Sequence, residues 1–257
     1  MTHQDSTLST PTSAELARTR RLLTFAFGAS LAALGALVLG LAGVLVGVGW
    51  WPAILGAVLG AGVGRLLVQR GVDHITSGVG AVPLLDAPRL ENLVEGLCVT
   101  NGIARPRFYV IEIPSRNALA IGLTPRHARL IVTRGLLEDL SRIELEGVVA
   151  RQLALVKSGQ AALASVMAVI ARVWPGAPQR LLPARADVIA DIEGVSFTRY
   201  PPGLLEALAK IQADPTVPGV PRWTQHLWIE DPVASAVGRP GPFHSPIDER
   251  IATLREL

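Results

Sequence analysis

The sequence has only one cysteine, Cys98, and almost no excess charge, and both shortages exclude classes of protein. A single thiol rules out an intrachain disulfide framework and a cysteine-based zinc cage, and it is typical of a reducing compartment. Among 257 residues the formal net charge is +3, and the arginines are dispersed along the chain. We therefore expect no nucleic-acid partner.

Charged residues and histidine are absent from one long segment near the N-terminus. From Leu22 to Gly64, 43 consecutive residues contain no Asp, Glu, Lys, Arg or His, about twice the ~20 residues that one bilayer crossing requires. The segment divides at 49–52, where paired tryptophans precede a proline. We predict a transmembrane hairpin over 22–69, with helices at about 22–47 and 52–69. A signal peptide is the alternative, but its apolar region spans only about 7 to 15 residues.

Arginines flank this hairpin and predict its orientation. Arg18, Arg20 and Arg21 precede it, Arg65 and Arg70 lie at its exit, and the turn carries no charge. The positive-inside rule places both ends in the cytoplasm. We therefore expect a multi-pass protein of the cell (inner) membrane with a cytoplasmic soluble domain and the lipid bilayer as a partner.

Glycines recur every fourth residue in both predicted helices. Gly43 and Gly47 lie in the first, and Gly56, Gly60 and Gly64 lie in the second. This spacing lets helix backbones approach closely. Either the two helices pack on each other or two protomers pair.

The segments outside the hairpin differ in composition. Residues 1–21 begin with a stretch rich in Ser and Thr, and we expect them to form a disordered cytoplasmic tail. Residues 84–257 are expected to form a soluble domain. Three apolar runs separated by turn residues predict a small sheet of three or four strands: 108–111, 118–121 and 130–133. A further short strand is plausible at 227–229.

Helical patterns dominate the rest of this domain, so we predict a mainly helical α+β fold. Ser141 and Glu144 form a capping-box pattern at the start of a long helix. Within it, 160–171 is apolar but too short to cross a bilayer, so it either dips into the interface or is buried. The predicted helices are 88–101, 135–140, 142 to about 173, 183–198, 202–213 and 246–257.

The order of several short motifs resembles the HtpX and CAAX-prenyl-protease family of membrane zinc metalloproteases. The matching stretches are Asn117-Ala118-Leu119-Ala120-Ile121-Gly122, Val132 to Leu137, Glu144 to Ala150, Ala190-Asp191, His226 to Pro232 and His244 to Ile251. Together with the hairpin they cover almost the whole chain. The resemblance implies a gluzincin-like metalloprotease domain with zinc as its cofactor.

In that family an HExxH motif follows the stretch that matches Glu144 to Ala150. Its histidines hold zinc and its glutamate activates water. At these positions the present chain has Arg151-Gln152-Leu153-Ala154-Leu155, and the third ligand position corresponds to Asp187. The ligand positions are therefore Arg151, Leu155 and Asp187, and the general-base position is Gln152.

These replacements are unfavourable for zinc and for hydrolysis. A guanidinium has no lone pair to donate to a metal. At 4 Å and an effective dielectric near 20, its repulsion of a divalent ion is about 8 kcal/mol, against ~10 to 16 kcal/mol for a good structural zinc site. Gln152 lacks basicity and Leu155 lacks a ligand atom. We therefore expect no catalytic residue, no metal ligand and no cofactor.

The remaining candidates do not rebuild a metal site. Of His3, His74, His127, His226 and His244, no two share a predicted helix at i, i+4 spacing. Neither His127 nor His226 suggests a chemical role.

Arg151 has two predicted environments. In the first, it pairs with Asp187 or Asp191 and so joins the two helices that zinc would join. In the second, its guanidinium points to solvent.

The resemblance then leads to three functional hypotheses. The first is an inactive relative whose segment 117–122 acts as an edge strand that pairs with substrate backbone, because such pairing needs no metal. Its partners would be extended peptides, membrane-protein segments or an active homologue. The second is an active zinc metalloendopeptidase with non-standard ligands. The third is a purely structural membrane protein.

Overall fold

The computed structural model describes residues 12–183, 185–233 and 243–257. Helices dominate, and a four-stranded sheet occupies one side of the soluble part. The helices are α1 (Ser13–Leu45), α2 (Pro52–Gly78), α3 (Pro88–Asn101), α4 (Arg134–Asp139), α5 (Arg142–Ser158), α6 (Gln160–Ala171), α7 (Ala177–Leu181), α8 (Ala186–Thr198), α9 (Pro201–Ala213) and α10 (Ile247–Arg255). The strands are β1 (Val82–Pro83), β2 (Arg107–Ile111), β3 (Ala118–Ile121) and β4 (Arg129–Thr133).

The N-terminal hairpin is longer at both ends than the apolar segment predicts. Helix α1 begins at Ser13 because Thr12 and Glu15 form a capping box. Residues 13–21 of the predicted tail are therefore helical, and residues 1–11 lie outside the described part of the chain. Helix α2 continues past position 69 to Gly78, since Val72 and Ile75 on its last turns are buried against the soluble domain.

Close backbone contact holds α1 and α2 together. A Cβ at Gly56 would lie 2.0 Å from the carbonyl oxygen of Gly35, and one at Gly60 would lie 2.1 Å from that of Leu31. The glycine spacing of α2 thus serves packing within the hairpin. Both helices are long and apolar enough to cross a membrane. Their outer faces expose apolar side chains, which include Leu34, Leu37, Leu41, Leu55, Val58 and Leu59.

The sheet has the order β1-β2-β4-β3. Strands β2 and β4 are parallel, and the other two pairings are antiparallel. The three predicted strands are present, and β1 adds a fourth. The short strand expected at 227–229 is absent as such. Residues Arg222–Leu227 form a 3-10 turn instead, and Trp228 makes one isolated bridge with Leu119 of β3.

The long helix predicted from 142 to 173 is two helices. Gly159 adopts a left-handed conformation with φ of +89°, which ends α5 and starts α6 at an angle of 79°. A glycine tolerates this conformation without steric cost. The predicted capping box of Ser141 and Glu144 is confirmed at the start of α5. The predicted start of α8 at 183 moves to Ala186.

Helix α6 is an interior helix of the soluble part. All its residues except Ala164 are buried. By length and composition, α5 and α6 together could form a bent third span. Helix α5 is likewise buried along most of its length, between the sheet, α8 and α9. Helix α5 therefore lies at the centre of the domain, and it carries Arg151, Gln152 and Leu155.

Candidate functional site

Helices α5 and α8 are in contact at Arg151. A Cβ at Gly194 of α8 would lie 2.6 Å from the Cα of Arg151, so only glycine permits this approach. Asp191 lies almost one turn before Gly194, which places its carboxylate beside the Arg151 side chain. Arg151 and Gln152 are 2% and 0% exposed. The side chains at the positions that the resemblance matches to the first zinc ligand and the general base are thus buried away from solvent.

A buried ion-pair network lies where the resemblance would place a zinc ion. The Nε of Arg151 donates to Asp191 Oδ1 at 2.6 Å. Arg250 of α10 donates to the same carboxylate through Nε at 2.7 Å and Nη2 at 2.9 Å. Its Nη1 also donates to the carbonyl oxygen of Ile229 at 2.9 Å. Asp191 therefore joins α5, α8 and α10 through two guanidinium groups.

Asp187 is the other carboxylate predicted as a partner for Arg151, but in the structure it binds Ser245 instead. It accepts hydrogen bonds from the backbone N–H of Ser245 at 2.6 Å and from its hydroxyl at 3.1 Å. The Nε of Arg250 is 4.0 Å away. Burial raises the pKa of this carboxyl, but Arg250 and Ser245 outweigh it, and the pKa lies below its ordinary value. The structure thus brings Arg151 to Asp191 and leaves Asp187 to anchor the loop before α10.

Glu230 completes the cluster from the loop after the 3-10 turn. Its Oε2 lies 3.5 Å from Arg250 Nη1. Burial raises the pKa of this carboxyl to about 7, despite the opposing charge of Arg250. Two guanidiniums already face the carboxylates of Asp187 and Asp191. A further negative charge at this place is therefore disfavoured.

These residues do not fit a zinc ion. Arg151 is committed to Asp191, Leu155 has no donor atom, and Asp187 is engaged by Ser245. Among the described residues, no three His, Cys, Asp or Glu side chains are grouped as a metal would require. A zinc ion here would face the guanidinium groups of Arg151 and Arg250, and the carboxylates beside them already have partners. The donor chemistry of the site therefore disagrees with the metal that the resemblance implies.

Gln152 is buried without compensation. Among the described residues, neither its Oε1 nor its Nε2 has a hydrogen-bond partner. Such atoms cost about 1–3 kcal/mol each when they are left unpaired. An amide held this way has no proton to abstract and no basicity, so the residue at the general-base position contributes no acid or base chemistry.

A cavity of about 360 Å³ lies beside Arg151, between α5, α6, α7, α8 and the 3-10 turn. Its walls are largely apolar and include Leu155, Leu163, Leu182 and Leu227. Two histidines also line it: His226, to which the sequence assigns no role, and His244, which begins one of the motifs that resemble the family. They come from separate loops of the C-terminal third, so no helical spacing could have revealed them.

Both histidines are neutral, and each donates one hydrogen bond to a backbone carbonyl. The Nε2 of His226 donates to the carbonyl oxygen of Ala164 at 3.0 Å, and that of His244 donates to Trp228 at 2.9 Å, since a carbonyl only accepts. Burial lowers the pKa of His226 to about 4 and lowers that of His244 as well. The Nδ1 of each neutral ring carries a lone pair, and within the described part of the chain it has no hydrogen-bond partner.

Segment 117–122, the predicted peptide-binding edge, lies at the edge of the sheet as β3 and its flanks. Its outer side is partly occupied by the chain itself. The carbonyl oxygen of Ala118 accepts from Ile229 N–H at 3.0 Å, and Gly122 N–H donates to Ser165 Oγ at 3.0 Å. Of this segment, Ala120 lines the cavity. Backbone pairing with a foreign peptide is thus restricted to the neighbourhood of Ala120.

Comparison with known proteins shows several relatives that cover most of the chain, although no family model matches. A "Protease HtpX homolog" of Tropheryma whipplei (strain Twist) is 30% identical across 84% of this chain and 89% of its own. One from Dictyoglomus turgidum is 32% identical across 70% and 73%. One from Limosilactobacillus reuteri is 28% identical across 95% and 99%. The likeness therefore includes the hairpin as well as the soluble domain.

Proposed function

The chain belongs to the HtpX family, and we propose that it is a membrane-anchored member that binds polypeptide segments in its cavity without hydrolysing them. One observation carries this proposal: the guanidinium of Arg151 is buried and paired with Asp191 at 2.6 Å, at the position where the resemblance expects a zinc ligand.

Each residue at the positions that match the family's zinc site disfavours hydrolysis. Metal-assisted hydrolysis needs a polarised water and a base that removes its proton. Here the ligand positions hold Arg151 and Leu155, and the base position holds Gln152. The one carboxylate at a ligand position, Asp187, already accepts two hydrogen bonds from Ser245. The residues present supply neither the metal ligands nor the base.

The cavity suits a neutral amide better than an ion. Within residues 12–183, 185–233 and 243–257, Arg151 Nη1 is a donor without a partner, and the Nδ1 atoms of His226 and His244 are acceptors without partners. A peptide group offers the converse pair, a carbonyl acceptor and an N–H donor. Because the charges of the cluster are already balanced, a neutral ligand avoids the repulsion that an anion would meet. These atoms are enclosed, so binding also requires the cavity wall to open.

The membrane hairpin supports a particular source for such a segment. Leu16 of α1 lines the cavity, six residues before the uncharged run begins at Leu22. The flanking arginines place this end of the hairpin in the cytoplasm. We therefore propose that the ligand is a polypeptide emerging from the cytoplasmic face of the membrane.

The absence of hydrolysis is tested by zinc content and activity together. The detergent-purified full chain should contain no stoichiometric zinc by elemental analysis and should leave casein intact. Thermolysin, a zinc protease with two histidine ligands and one glutamate ligand, provides the positive control for both assays. Stoichiometric zinc with casein cleavage that a chelator blocks would overturn the proposal and establish an active metalloendopeptidase with unusual ligands.

Binding is tested by site-specific crosslinking in cells. A photoreactive amino acid replaces Leu155 in the cavity wall, and the control places it at Val99, an exposed position on α3. We expect polypeptide adducts from position 155 and none of the same adducts from position 99. Their absence at 155 would favour a purely structural protein, which the partly covered edge of β3 also suggests. An adduct with an active HtpX protease would instead identify a homologue as the partner.

A further inference from the structure

Helix α6 runs alongside α1 toward the membrane. Ala161 and Ala162 at its start lie near Ala17 of α1, where they line the same small cleft. Residues near its end, such as Ile170, belong to a cluster that includes Leu23 and Phe27 of α1. Since α1 enters its uncharged run at Leu22, the C-terminal end of α6 lies at the level where the hairpin enters the apolar phase.

The contacts with α2 indicate the same level. A Cβ at Gly71 of α2 would lie 2.4 Å from Val169 Cγ2, and Val68 packs in the same cluster as Val169. These positions follow directly after Gly64, where the uncharged run ends. The end of α6 is therefore held against both helices at the edge of the bilayer.

Two apolar side chains project from the turn that follows α6. Val173 is 71% exposed and Trp174 is 44% exposed. In a water-soluble domain such a pair would face solvent at a cost. Here the pair follows three and four residues after Ile170, which packs in one cluster with Leu23 and Phe27 of the hairpin, and an exposed apolar pair of this kind is typical of a membrane or protein contact.

Cationic side chains border this pair. The guanidinium of Arg172 lies over the Trp223 ring, 5.4 Å from its centroid, and that of Arg180 lies over the Trp174 ring at 5.7 Å. Tryptophan is favoured at membrane-water interfaces, and arginines keep their charge at the headgroup level while their stems contact apolar groups. Trp50 and Trp51 occupy the opposite end of the hairpin.

We propose that Val173 and Trp174 insert into the bilayer at the interface where the hairpin enters it, as a third membrane contact. The α6–α7 turn then fixes the soluble domain against the membrane and orients the adjacent cavity, because α7 forms one of its walls. An inserted apolar face of this kind lies about 5–10 Å below the headgroup boundary.

Because Cys98 is the chain's single cysteine, one substitution leaves a background for site-specific labelling. In the full chain carrying Cys98→Ala, a cysteine is introduced as Val173→Cys, labelled with an environment-sensitive fluorophore and reconstituted into phosphatidylcholine and phosphatidylglycerol vesicles. The matched control is Val99→Cys, an equally exposed valine on α3. We expect the label at 173 to be blue-shifted, quenched by lipids carrying a nitroxide near the headgroup, and protected from aqueous iodide. The label at 99 should show the reverse.

Equal iodide quenching at both positions, without nitroxide quenching at 173, would overturn the proposal. A second measurement covers the case in which the cysteine variants do not fold. In the otherwise native chain, Trp174→Phe should remove part of the tryptophan quenching caused by lipids brominated near the headgroup. No change in that quenching would likewise overturn it.

Discussion

The hairpin and the centre of the soluble domain have opposite distributions of polarity. In α1 and α2 the outward face is apolar, and the interface between the helices consists of glycine backbone, with a Cβ at Gly56 only 2.0 Å from an opposing carbonyl. Around α5 the inward face carries charge, with Arg151 2% and Arg250 0% exposed. The stability of the hairpin thus depends on close packing, and that of the centre of the soluble domain depends on charge compensation.

The two regions are therefore sensitive to different kinds of substitution. Packing without a hydrophobic driving force fails when the backbones are forced apart. A buried ion pair fails when one partner is removed, because the other charge remains buried and uncompensated. The same kind of substitution should therefore have very different effects in the two regions.

The largest expected effect is at Asp191. Asp191→Asn removes the carboxylate to which both Arg151 and Arg250 donate hydrogen bonds. We expect the free energy of unfolding to fall by about 3–5 kcal/mol, measured by thermal or denaturant unfolding of the detergent-purified chain. Asp139→Asn is the matched control, because the Asp139–Arg116 pair is 43% and 27% exposed and should contribute about 0–1 kcal/mol. Equal losses for both variants would contradict the account.

Glu230 provides a pH-dependent test of the same cluster. Its pKa of about 7 lies above the ordinary value of 4.5, so the folded state holds a proton that the unfolded state releases. Wild-type stability attributable to this group is thus present at pH 4.5 and is lost as the pH rises to about 7. Relative to wild type, Glu230→Gln should become more stable over this window, by about 2–3 kcal/mol.

The comparison is made as a difference between variant and wild type across pH. His226 and His244 have lowered pKa values, so both proteins gain stability as the pH rises toward 6.5, and this shared contribution cancels. A difference that stays constant between pH 4.5 and 8 would show that Glu230 is an ordinary carboxyl.

In the hairpin the expected effect is smaller. Gly56→Val forces a side chain into the carbonyl oxygen of Gly35 and should destabilise the α1–α2 contact by about 1–3 kcal/mol. Gly62→Val, on the same helix, meets nothing within 4 Å and serves as the control. Thermal unfolding in detergent measures both. If Gly62→Val proved as harmful as Gly56→Val, then valine in the helix, rather than the close approach, would be the cause.

The smallest loss of stability is expected at an exposed ion pair between the hairpin and the soluble domain. Asp73 at the end of α2 pairs with Arg129 of β4, and the aspartate side chain is 66% exposed. Asp73→Asn should lower the free energy of unfolding by at most about 1 kcal/mol, and the difference should shrink at high salt. A loss as large as that of Asp191→Asn would break the distinction between buried and exposed pairs.

Local features of the fold were largely predictable. The two capping-box patterns each use residues three positions apart, Thr12 with Glu15 and Ser141 with Glu144, although only the second was anticipated. The break at Gly159 was missed because the apolar pattern continues through it, and only the positive φ distinguishes the two helices. Short apolar runs predict β2, β3 and β4. Strand β1 has only two residues and is too short to produce such a run.

Composition along the chain predicts the membrane hairpin and the α+β class, and the order of motifs leads to the prediction that Arg151, Leu155 and Asp187 stand at the family's metal-ligand positions. Each of these depends on composition or spacing along the chain. Only the tertiary structure decided that Arg151 pairs with Asp191, that Arg250 shares that carboxylate, and that His226 and His244 line the cavity. The physical reason is distance along the chain: Asp191 is 40 residues from Arg151 and 59 from Arg250. Contacts over such separations leave no periodic pattern, because they depend on how α5, α8 and α10 pack around a shared buried charge.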